Sequence, residues 1–134
     1  MGRSYPTDVD VQPGLAATVE LTVKEGDTAE ALRSGDVPML ATPRVVALAE
    51  EATVAALAGH LEAKATTVGQ RVQLDHLLPI PVGKVVRAEA KLESVEGRRL
   101  VFTVSVSSDR GLVAAGKITR VIVIRDRFVA KATE

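Results

Sequence analysis

The stretch 41-ATPRVVALAEE-51 opens the one long helix this chain is expected to form, and it also carries the residue that fits that helix least. Thr42 is a favoured N-cap, and Pro43 sits at the first helical position, where its missing N–H is no loss. Val45, Leu48, Ala49, Ala52, Ala56 and Ala63 then fall near helical spacing, and Gly59 with His60 marks the expected end. Glu50 arrives where the apolar face should continue. An acid at that place is either part of a solvated stripe with Glu51, pairing with Arg44 or Lys64, or a functional carboxylate.

Outward from the helix, the chain reads as strands. Before it, Leu15–Val23 alternates well enough for a strand, Lys24–Asp27 turns at Gly26, and Thr28–Arg33 makes a short helix stopped by Ser34 and Gly35. After it, Thr67–Leu78 sets Val68, Val72, Leu74 and Leu78 against Arg71, Gln73 and Asp75. Pro79, Pro81 and Gly83 break that run. In Val85–Glu93, Val86, Ala88, Ala90 and Leu92 face one way, with Arg87, Glu89, Lys91 and Glu93 the other. A turn at Glu96-Gly97 leads to Leu100–Val106, and one at Asp109-Arg110-Gly111 to a last strand, Leu112–Ile124. One strand, one long helix and four antiparallel strands make an α+β pattern, an antiparallel β-sheet wrapped around one long central helix; the architecture is the hotdog fold.

Composition bounds the function. The 134 residues suit a single domain spanning 1–134, with residues 1–14, polar and turn-rich, as a loose N-terminal arm. Aromatic content is 2%, so Val, Ala and Leu must build the core. Lys plus Arg and Asp plus Glu are both 17, and this balance supplies no global field for nucleic acid. The absence of Cys removes disulfides, thiolate metal sites and cysteine nucleophiles, and points to a reducing compartment. No signal peptide opens the chain and no apolar run is long enough to span a bilayer, so a soluble cytoplasmic protein is expected, without metal and without membrane contact.

The motif search is mostly negative. Gly111–Ile118, GLVAAGKI, nearly spells a phosphate loop, but Ile118 stands where Ser or Thr should hold magnesium and no helix follows. No G-x-S-x-G elbow exists. His60, beside Gly59 at the helix end, reads as a surface or C-capping residue. His76 shares its strand face with Val72, Leu74 and Leu78, which makes it either a packed core histidine or a titratable ring at a site, then expected to titrate near neutrality. Thr42 and Glu50 lie two turns apart on roughly one side of the helix, so a hydroxyl, a carboxylate and an imidazole come within conceivable reach of each other.

These residues bring out a resemblance. Ala41-Thr42, the helical Glu50, Gly69, His76 with a proline-glycine turn after it, the hairpin SVEGRRL at Ser94–Leu100, and Arg120 resemble the fluoroacetyl-CoA thioesterase group of hotdog proteins, from about Leu15 to Phe128. The resemblance implies hydrolysis of a small acyl-CoA thioester to free acid and CoA, with Thr42, Glu50 and His76 as the catalytic constellation and Gly69 and Arg120 in contact with substrate. It implies no cofactor beyond the coenzyme A of the substrate, and a homodimer, possibly pairing into a tetramer. Arg98, Arg99 and Lys117 are further candidates for the CoA phosphates. Two departures stand out. Ala31–Leu40, ALRSGDVPML, lacks the phenylalanines with which the fluoroacetyl-specific enzyme closes its pocket, so fluoroacetyl selectivity is not expected, and Pro43 removes an N–H from the helix start. The alternative is a non-catalytic hotdog dimer binding acyl-CoA or another small ligand. A hotdog dehydratase is disfavoured, because its Asp-Asn-His arrangement needs an Asn and the chain has none.

Overall fold

The computed structural model describes residues 11–133. Strands β1 (Ala16–Thr22), β2 (Ala65–His76), β3 (Val85–Glu96), β4 (Arg99–Ser108) and β5 (Gly111–Ile124) form one antiparallel sheet in the order β1-β3-β4-β5-β2. Helix α1 (Ala29–Leu32) is a single turn, α2 (Thr42–Leu57) is the long helix, and α3 (Arg125–Ala132) closes the chain. Among the described residues no helix is long and apolar enough to cross a membrane. Of the arm expected over residues 1–14, positions 1–10 lie outside the described residues. Val11 is buried, and the Gly14 N–H donates to the Leu92 carbonyl at 2.8 Å, so the last residues of that segment are on the body of the fold.

Helix α2 packs on β1 and β3 through small side chains. Val45, Leu48, Ala49, Ala52 and Ala56 are buried on the helix, and Val86, Ala88, Ala90 and Leu92 are buried on β3, in the alternation expected of that strand. Facing alanines bring the helix backbone close to the sheet, which is how a core whose one buried ring among the described residues is Phe102 fills its interior. The helix starts and ends differently from expectation. Ala41, in extended conformation, is the N-cap, Thr42 is already helical, and Pro43 follows in the first turn. The far end comes at Leu57, before a turn through Gly59 at φ +81°, so Ala63 is not on the helix.

Strand β2 departs from simple alternation. Gly69 pairs with Arg120 but Arg71 pairs with Thr119, so Gln70 is the extra residue of a β-bulge. The bulge reverses the parity of the strand. Thr67 and Gly69 face the helix before it; Val72, Leu74 and His76 face the helix after it. Val68, expected on the side of Val72, is therefore on the opposite face, paired with Val121. Helix α3 was not anticipated from the sequence, because RDRFVAKA buries none of its residues and so shows no apolar stripe.

Gly116 leaves β5 no room for a side chain against β2: a Cβ there would run into the Gln73 carbonyl oxygen and lie 2.8 Å from Leu74 Cα. Both obstacles are backbone or bound to it. Gly116→Ala is expected to lower stability to urea by about 3 kcal/mol, followed by far-UV circular dichroism. Gly26→Ala, with nothing within 4 Å of the new methyl, should stay within about 0.5 kcal/mol of the parent.

Candidate active site

Freed from capping, the Thr42 hydroxyl has another partner. Its Oγ1 lies 2.8 Å from His76 Nδ1, joining the first turn of α2 to the end of β2. The other ring nitrogen, Nε2, is buried without a hydrogen-bond partner among the described residues. Burial lowers the His76 pKa below 6.5, partly opposed by the Leu78 backbone, and so favours a neutral imidazole. Thr42 and His76 line a cavity of about 390 Å³ whose wall includes Ala29, Val37, Met39, Leu40 and Leu78. A hydroxyl and a neutral imidazole thus meet at the floor of a largely aliphatic pocket, beside the N-terminus of a helix whose dipole favours negative charge.

Glu50 belongs to a second cluster. Its Oε2 accepts from Arg120 Nη1 at 3.1 Å, while Arg120 Nε donates to Thr67 Oγ1 at 2.9 Å and Nη2 to the Thr67 carbonyl at 3.1 Å. The Arg120 side chain is 8% exposed against 35% for Glu50. Desolvation lowers the Arg120 pKa from the ordinary value of a guanidinium, and the charge and hydrogen bond of Glu50 oppose that shift. Arg120 is buried, with its guanidinium directed at Glu50 and Thr67. Arg44, for its part, pairs with Asp27 at 2.9 Å, so Glu50 has Arg120 and not Arg44 as its partner.

Gly69 completes this cluster. A Cβ on Gly69 would collide with Glu50 Oε2 and come within 3.6 Å of Arg120 Nη1, so the carboxylate lies directly over the glycine backbone. Thr67 is the member that sequence reasoning missed, and no pattern marked it, because its role is to accept from a buried guanidinium. The two clusters do not meet within one chain. Thr42 and Glu50 are eight residues apart on α2, about 12 Å along its axis. His60, at the helix end, joins neither cluster; its N–H donates to the Leu57 carbonyl at 3.0 Å.

The sequence matches the model of the fluoroacetyl-CoA-specific thioesterases over residues 23–126. The chain belongs to that thioesterase family. It is 33% identical to the fluoroacetyl-CoA thioesterase of Streptantibioticus cattleyicolor over 96 residues, which are 72% of this chain and 69% of that one. The crystal structure of the fluoroacetyl-CoA thioesterase FlK superposes with a TM-score of 0.85 at 29% identity, covering 92% of this chain and 96% of that one. A hot-dog-like protein from Thermanaerovibrio acidaminovorans, at 23% identity and a TM-score of 0.82 over 90% of this chain and 89% of its own, shares the fold. The α+β hotdog architecture expected from the strand order is therefore the one this thioesterase has.

Two outcomes follow from the geometry of this thioesterase. Because burial penalises the imidazolium, the folded chain binds the His76 proton less readily than the unfolded chain, whose histidine titrates at 6.5. The contribution of His76 to stability is thus complete above pH 6.5 and declines as the pH falls below it. Melting temperatures measured from pH 8 to pH 5 should drop more steeply for the wild type than for His76→Gln. Gly69→Ala should displace the Glu50 carboxylate from Arg120, lower thioester hydrolysis at least tenfold and, by leaving the buried guanidinium without its counter-charge, lower the melting temperature as well.

Proposed function

We propose that this chain is an acyl-CoA thioesterase that cleaves small acyl-CoA thioesters, and that it does so in the cytoplasm as a homodimer whose two sites are each shared between chains. The observation that carries the reading is the contact between Thr42 and His76, with an unpartnered Nε2 at an aliphatic cavity. The cavity lining contains no phenylalanine, tyrosine or tryptophan, which argues against selectivity for a fluoroacetyl group.

Sharing is supported by the exposed edge. Strand β2 ends the sheet, and Gly69–Gln73 is exposed throughout. An edge strand of this length needs a partner or a cover. Antiparallel pairing of two β2 strands, centred on Gln73, sets Val72 of one chain opposite Leu74 of the other and, with Gln70 taken up in the bulge, Gly69 opposite His76. Because the bulge puts both residues on the helix-facing side, Glu50 of the partner subunit then adjoins the Thr42–His76 pair. Cross-strand neighbours in such a pair lie about 5 Å apart.

The chemistry follows from the protonation states. A neutral imidazole accepts a proton and is a poor acid, so His76 takes the part of base. The His76 Nδ1–H donates to Thr42 Oγ1, leaving the Thr42 hydroxyl hydrogen to bind the substrate carbonyl oxygen beside the positive end of α2. The partner subunit's Glu50, with Oε2 fixed by arginine and Oε1 free, attacks the carbonyl carbon. The C–S bond breaks and the CoA thiolate leaves without acid assistance, since thiols titrate near about 8.5. Water then attacks the resulting anhydride, gives its proton to His76 Nε2, and the proton passes on to the thiolate, releasing the acid and restoring the carboxylate.

Thiol release from a panel of acyl-CoAs tests the activity, and a chain that binds acyl-CoA without releasing thiol would be the inert binding dimer instead. Glu50→Gln and His76→Ala should each reduce turnover by about a thousandfold, whereas Glu51→Gln, on the exposed side of α2, should change it less than twofold. Co-refolding the two inactive variants should restore roughly a quarter of wild-type activity, because half of the dimers are hybrids and each hybrid has one intact site. Absence of any recovery would place each site within a single chain.

A further inference from the structure

The cavity at Thr42 and His76 is larger than a two-carbon acyl group fills. It measures about 390 Å³, and a cavity of roughly 150 Å³ already admits a benzene ring. Its wall is fixed by backbone pairing. The Ala29 N–H donates to the Met39 carbonyl at 2.9 Å and the Leu40 N–H to the Ile80 carbonyl at 2.8 Å, while Thr28 bridges to Leu40 and Met39 to Pro81. Thr28 also caps α1, its Oγ1 accepting from the Ala31 N–H at 3.2 Å. The chain from Thr28 to Leu40 is thus a closed loop tied to the segment after β2, and the volume beside Thr42 is built into the fold.

A carbonyl held at the Thr42 hydroxyl puts one of its two substituents, acyl chain or thioester arm, into this cavity, and the lining decides which. Val37, Met39, Leu40, Leu77 and Leu78 present hydrocarbon, and among the described residues the lining has no amide side chain, lysine, arginine or tyrosine. The amides of the thioester arm would lose water there without a side-chain partner, whereas an alkyl chain gains by burial. Resting on the acyl-CoA reading, we infer that this cavity is the acyl pocket and that its preferred substrates are CoA thioesters of uncharged aliphatic acids of about four to six carbons, straight or branched. Met39, flexible and polarizable, adapts to either shape.

Asp36 sets the limit on charge. It is the one carboxylate in the lining, it is exposed, and among the described residues it makes no ion pair. A second carboxylate at the far end of the acyl chain, as in a dicarboxylic acid, meets this charge with no cation in the lining to offset it, and gives up its water to an aliphatic wall. Dicarboxylic monothioesters are therefore poor substrates.

Across straight-chain acyl-CoAs, kcat/KM should rise by up to about fourfold per methylene from acetyl to a maximum between butanoyl and hexanoyl. A maximum at acetyl, or a flat series, would overturn the inference. Val37→Phe, which narrows the cavity, should move the maximum to a shorter chain, and Val37→Leu should move it less, which covers a first variant that fails to fold. Equal loss for every acyl group would give the cavity to the thioester arm instead. Charge is read with 5-methylhexanoyl-CoA and glutaryl-CoA, whose acyl ends share a shape and differ in charge. Wild type should favour the first at least a hundredfold, and Asp36→Asn should reduce that ratio at least fivefold, with a smaller reduction at high salt. An unchanged ratio would overturn the part given to Asp36. Calorimetric titration of Glu50→Gln with the same thioesters separates the pocket from the activity. Affinity that rises from acetyl to hexanoyl, in a protein whose wild type cleaves none of them, would sink the thioesterase reading and keep the pocket; cleavage with no dependence on chain length would do the reverse.

Discussion

A guanidinium buried beneath a helix is the constraint from which the rest of this site follows. Arg120 points into the space between sheet and α2, where a charge is stable only if it is paired and its donors are used. Glu50 supplies the opposing charge, so an acid must interrupt the apolar face of the helix. Thr67 accepts the remaining hydrogen bonds with its hydroxyl and its carbonyl. Gly69 gives the carboxylate room, since any side chain there would occupy its place. Four residues from two strands and a helix are thereby determined together, and none can change without leaving a buried polar group unsatisfied or a clash.

Much of this fold was legible in the sequence, because its signals are local. The strict alternation of Val86, Ala88, Ala90 and Leu92, the turns at Gly97 and Gly111, and the apolar spacing from Val45 to Ala56 each report burial of one face. What stayed hidden depends on contacts distant in sequence. Alternation carried across Val68 and Val72 because both are apolar, and nothing local marks Gln70 as the residue that drops out of register. Helix α3 gave no sign because it buries nothing. In the site, Glu50 and His76 stood out as polar residues on apolar faces. Their grouping did not, because whether Glu50 answers Thr42 or Arg120 depends on tertiary packing.

The helix start shows the same division between local signal and use. A threonine before a proline reads as a cap, yet Ala41 holds that position and the chain turns into the helix without a side-chain cap. The Thr42 hydroxyl is thus left for His76, and the helix begins with its first N–H groups beside an open cavity. A stronger cap at this place would steady the helix and remove the hydroxyl from the ring that needs it, so local stability is traded here for a polar contact at the pocket floor.

The bulge at Gln70 also sets which kinds of sequence change this protein can absorb. Seven positions separate Gly69 from His76, an odd interval that would put them on opposite faces of a regular strand; one extra residue restores them to the same side. Substitutions along β2 alter surfaces by degrees. A single insertion or deletion between these positions would turn every later side chain through half a rotation, exchanging His76 for its outward neighbour in one step. Divergence in this strand therefore has to proceed by replacement at constant length, and a gap there marks a chain in which the two halves of the site no longer share a face.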